Sequence, residues 1–223
     1  MARLNGHLER DWYGAPVPKN IRLAENVYLE STYAFGAWFS ERDPALTMEE
    51  GSGAYGLSSF ALGPRGRVDV GAYSCLSSVQ ICCESHVRIG AHCMVAWGTV
   101  ITDSAVPEPG QLDRRRQALL ETAADAVRRL RPPSEVLPVT IEDNVWVGFD
   151  SVICAGVRIG RGSVIGCKSV ITADVPAYTL MVGRPARVVC KLRADDTPEM
   201  RKAALEGFGL FLPDTGGWIE RNA

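Results

Sequence analysis

A six-residue repeat runs without a slip through the second half of the chain. An aliphatic residue recurs at every sixth position, and a small or branched residue follows each one four positions later. Neither the 3.6-residue period of a helix nor the two-residue period of a strand produces this pattern. It predicts a solenoid whose coils have three flat sides, each a short parallel strand that pairs with the neighbouring coils. The aliphatic series is Ile141, Val147, Ile153, Ile159, Ile165 and Ile171, and the second series is Val145, Ser151, Val157, Ser163, Ser169 and Val175.

The same rhythm extends towards the N-terminus with more interruptions. From Leu76 to Ile89 the spacing is one residue more than two repeats, so we expect a bulge near residues 82–85. The repeats therefore run from about residue 23 to about residue 182. The inward positions predicted upstream are Leu23, Leu29, Phe35, Met48, Ala54, Phe60, Val70, Leu76, Ile89, Val95 and Ile101.

One large break interrupts the repeats between residues 102 and 139. Residues 111–130 contain neither glycine nor proline and predict a helix. Its apolar residues form one stripe, so the helix should pack against another surface. A core does not require such an insertion, so a functional part is expected for it. The stripe consists of Leu119, Leu120, Ala123, Val127 and Leu130.

The predicted fold class is therefore mainly β. Residues 1–190 form a parallel β-helix domain with the helical insertion at 102–139, and residues 191–223 form a helical tail. Within that tail we expect a short helix near residues 198–205, which would cover the open end of the solenoid.

Composition excludes several classes of function. The formal net charge of −2 gives no electrostatic reason to expect nucleic acid or a membrane as partner. No apolar run is long enough to span a bilayer, and the first residues lack the apolar run of a signal peptide, so we expect neither a transmembrane helix nor a signal peptide. The seven cysteines are odd in number and form no C-x-x-C pair, which favours reduced thiols in a cytoplasmic protein.

Several segments resemble the hexapeptide-repeat acyltransferases: residues 145–148, 157–160, 162–166, 169–176 and 183–188. Residues 89–104 are similar to the branch of that family that acetylates sugars and xenobiotics. The resemblance implies a left-handed parallel β-helix, a homotrimer, and acyl-CoA held between neighbouring subunits. It also implies transfer of an acyl group, typically acetyl, to the amine or hydroxyl of a small molecule. An acyl carrier protein is the alternative donor.

The resemblance also implies which residues bind the cofactor. The small residues would line the path of the pantetheine arm, Thr172 and Arg184 would lie near the nucleotide end, and Arg187 would contact phosphate. The cofactor-binding residues implied in this way are Trp146, Gly148, Gly166, Ser169, Thr172, Arg184 and Arg187.

The chain departs from the family at the catalytic base. Family members carry a histidine near a proline in the loop that here spans residues 101–107, and this loop contains no histidine. A general base supplies about 10²–10⁴ in rate. Positioning of the reactants supplies roughly 7–11 kcal/mol, so acyl transfer is still feasible. The candidate replacement bases are His92 at a corner of its coil, Asp103 in the loop itself, and His86 in the expected bulge.

Other functions compete with acyl transfer. The missing base is compatible with a protein that binds a ligand or partner without catalysis, or with an enzyme recruited to other chemistry on a biosynthetic intermediate. A zinc enzyme on this scaffold needs three converging histidines, and the spacing of the three in this chain does not supply them, so we expect no metal. The arginines of the insertion fit either a solvated helix face or contacts with CoA phosphates or an acyl carrier protein; they are Arg114, Arg115, Arg116, Arg128, Arg129 and Arg131.

Overall fold

A computed structural model describes residue 8, residues 11–104, 112–125 and 135–194, and the backbone of residues 211–212 and 217–218. The chain winds into a left-handed parallel β-helix, so the predicted fold class is confirmed. Most coils contribute one short strand to each of three sheets, in which successive coils pair in parallel; we name the sheets A, B and C in the order in which the chain visits them.

The strands are numbered in chain order. Sheet A contains β1 (Ile21–Leu23), β3 (Leu46–Met48), β6 (Arg67–Val70), β9 (His86–Ile89), β12 (Val139–Ile141) and β15 (Arg158–Ile159). Sheet B contains β2 (Tyr28–Leu29), β4 (Gly53–Tyr55), β7 (Cys75–Ser77), β10 (Met94–Val95), β13 (Trp146–Val147), β16 (Val164–Ile165), β18 (Thr179–Gly183) and β19 (Ala186–Lys191). Sheet C contains β5 (Ser59–Leu62), β8 (Gln80–Cys83), β11 (Val100–Thr102), β14 (Val152–Ile153) and β17 (Val170–Ile171).

The repeat sets the register between coils. In sheet C, Ile101 lies beside Ile153, which lies beside Ile171, and all three are buried. Sheet B places Val147 beside Ile165 in the same way. Every residue of both predicted series is buried. Since a buried aliphatic side chain contributes about 1.5–3 kcal/mol, the stacked core stabilises the parallel pairing.

The small members of the second series lie at the corners of the coils. Ser163 donates a hydrogen bond from Oγ to Pro176 O at 2.7 Å, and Ser169 does so to Gly166 O at 2.6 Å. These hydroxyls satisfy buried backbone groups where the chain turns. A serine is therefore useful at a corner because it is small and carries a polar atom.

The first coil differs from the later ones. A 3-10 helix (Thr32–Phe35) replaces its strand in sheet C, with Ser31 as N-cap. The Phe35 ring packs in parallel with Phe60 at 6.5 Å and meets Trp38 edge-on at 5.2 Å. Aromatic rings thus fill the core at this end, where the later coils use isoleucine and valine.

The insertion contains one described helix, α1 (Leu112–Ala124), which is shorter than the predicted span of 111–130. Within the protomer the described part of its apolar stripe does not pack against the β-helix, and the predicted packing of the stripe stays a prediction. Leu119 and Leu120 are 62% and 71% exposed, and the less exposed positions include Ala118 and Thr122. The coils already close their own core, so the helix stands outside it.

The solenoid ends in a hairpin. After β18 the chain turns at residues 183–186 and returns as β19, antiparallel to β18. The predicted helix near residues 198–205 lies outside the described residues. Further on, β20 (Phe211–Leu212) pairs antiparallel with β21 (Gly217–Trp218). No helix among the described residues is long and apolar enough to cross a membrane.

Candidate functional site

The turns that join sheet B to sheet C stack along one edge of the β-helix, which we call the BC corner. They comprise residues 56–58, 77–79, 96–98, 148–150 and 166–168, and the hairpin turn at 183–186 continues the row. The rings of Trp97 and Phe149 stack at 5.2 Å and are nearly parallel. Lys168 Nζ lies 5.9 Å from the Phe149 ring, and Arg184 Nε donates to Lys168 O at 2.6 Å. Aromatic rings are thus followed by cations along the row.

Six of the seven predicted cofactor residues lie on this row or on the adjoining strands of sheet B. Ser169 Oγ accepts a hydrogen bond from Gly183 N at 3.1 Å and donates one to Gly166 O, which joins two successive turns. Trp146 on β13 is 47% exposed. Thr172 is the exception, because it follows β17 and starts the turn towards sheet A at a different corner.

The glycines of the row are required by the packing of one coil on the next. A Cβ at Gly148 would lie 2.7 Å from Cys167 N, and one at Gly166 would lie 2.6 Å from Val182 Cγ2. Sequence reasoning explained these positions by a tunnel for the pantetheine arm. The structure gives a reason within the protomer, and contact with a cofactor stays a prediction.

The end of the row is electropositive. Lys168, Arg184 and Arg187 are exposed, and none of the three pairs with a carboxylate among the residues that the structure describes. Arg187 Nη1 donates to Ala186 O at 2.9 Å. Such guanidinium and ammonium groups suit phosphate oxygens.

His92 lies at the corner between sheets A and B. Its backbone has φ of 57°, and its half-buried ring stacks on Tyr73 at 5.4 Å. The ring is therefore part of a different edge of the coil from Trp97 and Phe149. Its predicted role as a base stays a prediction.

Asp103 is fully buried at the point where the insertion leaves the β-helix. Its carboxylate accepts hydrogen bonds from the backbone N–H groups of Glu84, Ser85 and His86, the shortest at 2.6 Å from Ser85. Its carbonyl accepts one from Leu137 N at 2.8 Å, which ties down the returning end of the insertion. The structure thus gives Asp103 a structural role, and its predicted role as a base stays a prediction.

The strands on both sides of residues 84–85 pair with their neighbours in continuous register, so the bulge expected near residues 82–85 is not found. Asp103 instead holds a two-residue turn after β8 through the N–H groups of Glu84 and Ser85, together with His86 N at the start of β9. The turn belongs to the edge between sheets C and A, which we call the CA corner.

His86 begins β9 directly after this turn. Its Nε2 lies 2.7 Å from Asp69 Oδ2, and Asp69 also accepts hydrogen bonds from Arg67 Nε and Nη2, at 3.0 Å and 2.9 Å. Burial acts to raise the pKa of Asp69, but the hydrogen bonds from Arg67 and His86 outweigh it and lower the pKa below its usual value. Sequence reasoning named His86 but missed Arg67 and Asp69. The signal was available, since both face outward on the strand that pairs with β9.

The arginines of the insertion are only partly described. Arg116 pairs with Asp113 at 3.3 Å on the solvated surface of α1. Arg128, Arg129 and Arg131 lie outside the described residues. Among the residues that are described, no group of three His, Cys, Asp or Glu side chains is arranged to hold a metal.

The fold and the BC corner define a class of protein, the left-handed β-helix of hexapeptide repeats. Residues 138–173 match the family model described as bacterial transferase hexapeptide (six repeats), and this segment carries that family's repeats. The matched segment includes Trp146, Gly148, Gly166, Ser169 and Thr172.

Curated relatives match part of the chain. A putative acetyltransferase of Schizosaccharomyces pombe is 50% identical over 56 residues, which cover 25% of this chain and 27% of that protein. A 2,3,4,5-tetrahydropyridine-2,6-dicarboxylate N-acetyltransferase of Staphylococcus aureus is 42% identical over 77 residues, covering 34% and 32%. The chain thus spans about a third of the length of the curated relatives it matches.

Solved structures extend the likeness to most of the chain. A hexapeptide-repeat acetyltransferase of Vibrio cholerae, complexed with acetyl coenzyme A, is 26% identical with a TM-score of 0.50, covering 67% of this chain and 72% of that one. A mutant of AntD, an N-acyltransferase of Bacillus cereus in complex with dTDP and coenzyme A, shares the fold at 14% identity. Its TM-score is 0.52, with 87% and 89% covered.

Proposed function

We propose that this protein transfers an acyl group from acyl-CoA to the amine or hydroxyl group of a small molecule. One observation carries the proposal: the BC corner carries, in a single row, small residues, the stacked rings of Trp97 and Phe149, and cations that pair with no carboxylate among the described residues. The family match covers two turns of that row, 148–150 and 166–168. The Vibrio cholerae relative, which is similar over two thirds of the chain, was solved with acetyl coenzyme A.

The row fits the parts of the donor in order. Lys168, Arg184 and Arg187 would hold the phosphates, since they form a cationic group at one end. The pantetheine arm would run along the outside of the turns that contain Gly148 and Gly166, beside the exposed side chains of Trp146 and Trp97. When bound, acyl-CoA supplies the activated thioester. An acyl carrier protein, which ends in the same arm, is the alternative donor.

We further propose that the protein acts as a homotrimer in the cytoplasm. The outer face of sheet B exposes a row of apolar side chains that includes Tyr28, Tyr55, Met94 and Trp146. Exposed apolar rows of this kind are typical of interfaces. A neighbouring copy on this face would also wall the BC corner and exclude water from a bound thioester. The cytoplasmic location is supported by the seven free thiols of the protein, which suit a reducing compartment.

A ligand-induced change in thermal stability tests the donor site. CoA should raise the melting temperature of the wild-type protein, since a ligand at 100 times its Kd stabilises the folded state by about 2.7 kcal/mol. Lys168→Glu should remove most of this effect because it places a carboxylate at the phosphate end. Lys19→Glu, an equal charge change at another exposed position, is the matched control.

The activity itself is tested with acetyl-CoA and a panel of amines and alcohols, with products followed by mass spectrometry. Acylated product that depends on Lys168 supports the proposal. Failure of CoA to stabilise the protein, together with no acylated product, overturns it. Binding of CoA without any product would favour the non-catalytic alternative, which the missing loop histidine also favours.

A further inference from the structure

Arg67, Asp69 and His86 form a compact polar cluster on the outer face of sheet A. His86 Nε2 lies 2.7 Å from one carboxylate oxygen of Asp69, and Arg67 binds the same carboxylate through two nitrogens. The side chain of His86 is 40% exposed, so solvent and solutes reach it. Arginine fixes the position of the carboxylate, and the carboxylate fixes the histidine, so the histidine is held more firmly than it would be in a simple surface ion pair.

The cluster determines which nitrogen of His86 can accept a proton. Arg67 keeps Asp69 ionised, and an ionised carboxylate is only an acceptor, so Nε2 of His86 must carry hydrogen. In the neutral ring the lone pair then belongs to Nδ1. Asp69 thus orients the ring and selects its tautomer, as carboxylates do for catalytic histidines.

The cluster also lies where the insertion leaves the β-helix. His86 N donates to Asp103 Oδ2 at 3.1 Å, and Asp103 directly follows β11 at the start of the insertion. The hexapeptide-repeat acyltransferases that this chain resembles carry their histidine in the loop after this strand. Here that loop has no histidine, but the fold places His86 of the preceding coil beside the residue at which the loop begins.

We propose that His86 is the general base of acyl transfer and that Asp69 is its positioning residue; this inference rests on the function proposed above. Nδ1 of His86 takes the proton from the acceptor amine or hydroxyl as its nitrogen or oxygen bonds to the thioester carbonyl carbon. The C–S bond then breaks, and the departing thiolate takes the proton from the imidazolium. The products are the acylated acceptor and CoA, and His86 returns to its neutral form.

We place this chemistry between two copies of the chain. The BC corner and the CA corner are opposite ends of a strand of sheet C, such as the three-residue β11. At about 3.3 Å per residue, such a strand alone separates the corners by about 10 Å. A proton transfer needs contact of about 2.6–3.2 Å. In the proposed trimer, His86 of a neighbouring protomer would supply this contact at the BC corner of the first.

Kinetics of two variants test the dyad. His86→Gln should lower kcat by about 10²–10⁴, and Asp69→Asn should lower it by about ten- to a hundredfold. Added imidazole should restore part of the activity of His86→Ala. A cooperative unfolding transition and the increase of the melting temperature with CoA should persist in all three, which separates catalysis from folding. Asp43→Asn, at the exposed Arg22–Asp43 pair of sheet A, is the matched control and should keep wild-type kcat.

The pH profile gives a readout that a structural role would not change. The fall in kcat at acidic pH, which protonation of the base imposes, should disappear in His86→Gln. The strand on the other side, β12, places the uncharged Thr140 beside Arg88, so β12 adds no charge at that rung. The charged groups that face His86 from its own segment and from β6 and β11 are Arg67, Asp69, Glu84, Arg88 and Asp103.

Mixed oligomers test the two-copy arrangement. Lys168→Glu combined with Arg184→Glu disables the BC corner, and His86→Gln disables the CA corner. When the two inactive proteins are refolded together in equal amounts, they should regain about a quarter of wild-type activity. One subunit interface in four then joins an intact BC corner to an intact His86. No recovery overturns the two-copy arrangement.

The outcomes separate this inference from the proposed function. If the wild-type protein acylates an acceptor and His86→Gln does so at the same rate with the same pH profile, His86 is not the base and the acyltransferase proposal stands. Loss of the acid limb in His92→Gln instead would assign the base to His92. If the wild-type protein transfers nothing from acyl-CoA, the proposed function fails, and this inference fails with it.

Discussion

The coils between residues 139 and 175 and those between residues 21 and 104 use the same three sheets in different ways. In the later coils each strand after β12 is two residues long and every turn has the same length, so equivalent residues stack in register. The earlier coils have strands of two to four residues, a 3-10 helix in place of one strand, and aromatic rings in the core.

The difference shows where chemistry can be placed on a solenoid. Regular coils present the same turn again and again, which makes a row such as the BC corner and suits a long, linear ligand. Irregular turns bring together side chains that no period would align. The contacts of Asp103 with the turn after β8, and of Asp69 with His86, both occur in the irregular coils.

The largest effect is expected at the irregular turn. Asp103→Ala removes the acceptor of three backbone N–H groups at a fully buried position and should cost about 3–5 kcal/mol in the free energy of unfolding. Urea unfolding measures it. Asp43→Ala, which breaks the exposed pair with Arg22, should cost about 0–1 kcal/mol. Equal costs for the two would mean that Asp103 does not hold the turn.

A smaller effect is expected where two regular coils touch. Gly148→Ala places a Cβ 2.7 Å from the backbone nitrogen of Cys167, so the coils must shift, and we expect a loss of about 1–3 kcal/mol. In Gly36→Ala the nearest atom is 3.4 Å away and the backbone is helical, so that variant should be neutral or slightly stabilising. Thermal unfolding distinguishes them. A neutral Gly148→Ala would restore the tunnel explanation of this glycine.

The serines at the corners of the coils test whether the regular and the irregular coils stabilise their turns by the same hydrogen bonds. Ser163 in the regular coils and Ser58 in the irregular coils both bond to corner carbonyls and accept from a backbone N–H. Replacing either by alanine should cost about 1 kcal/mol, and the two values should agree within about 0.5 kcal/mol. Chemical denaturation of both variants provides the comparison. A clear difference would mean that corner serines matter only where the repeat is regular.

The smallest effect concerns acid stability. The pKa of Asp69 is lowered in the folded protein, so its carboxylate stabilises the fold above the unfolded pKa, and this contribution is lost as pH falls through the folded pKa. Asp69→Asn should therefore reduce the decline of the unfolding free energy below about pH 4, where the unfolded carboxyl begins to bind protons. His86→Gln, which removes one donor to Asp69, should reduce it less. Unfolding curves at several pH values test this, and an unchanged decline in Asp69→Asn would contradict it.

Much of the architecture was predictable from the spacing of residues. The period placed Ile141, Ile153 and Ile165 in the core. The irregular interval near residues 82–85 predicted a bulge, but the strands there pair in continuous register. The spacing and the family resemblance together identified most of the residues of the cofactor row. The stripe of Leu119 and Leu120 indicates an amphipathic helix but not which surface covers it, and both side chains are exposed in the protomer.

Local order along the chain was enough to determine the solenoid, since each coil pairs only with its neighbours and a short period therefore specifies the whole stack. Only the tertiary structure decided the surroundings of the candidate base. Residue 86 follows residue 69 by 17 positions, and residue 103 follows residue 86 by another 17. These residues meet because successive coils of unequal length bring their corners together. Such contacts depend on the exact number of residues in each turn, which the repeat does not record.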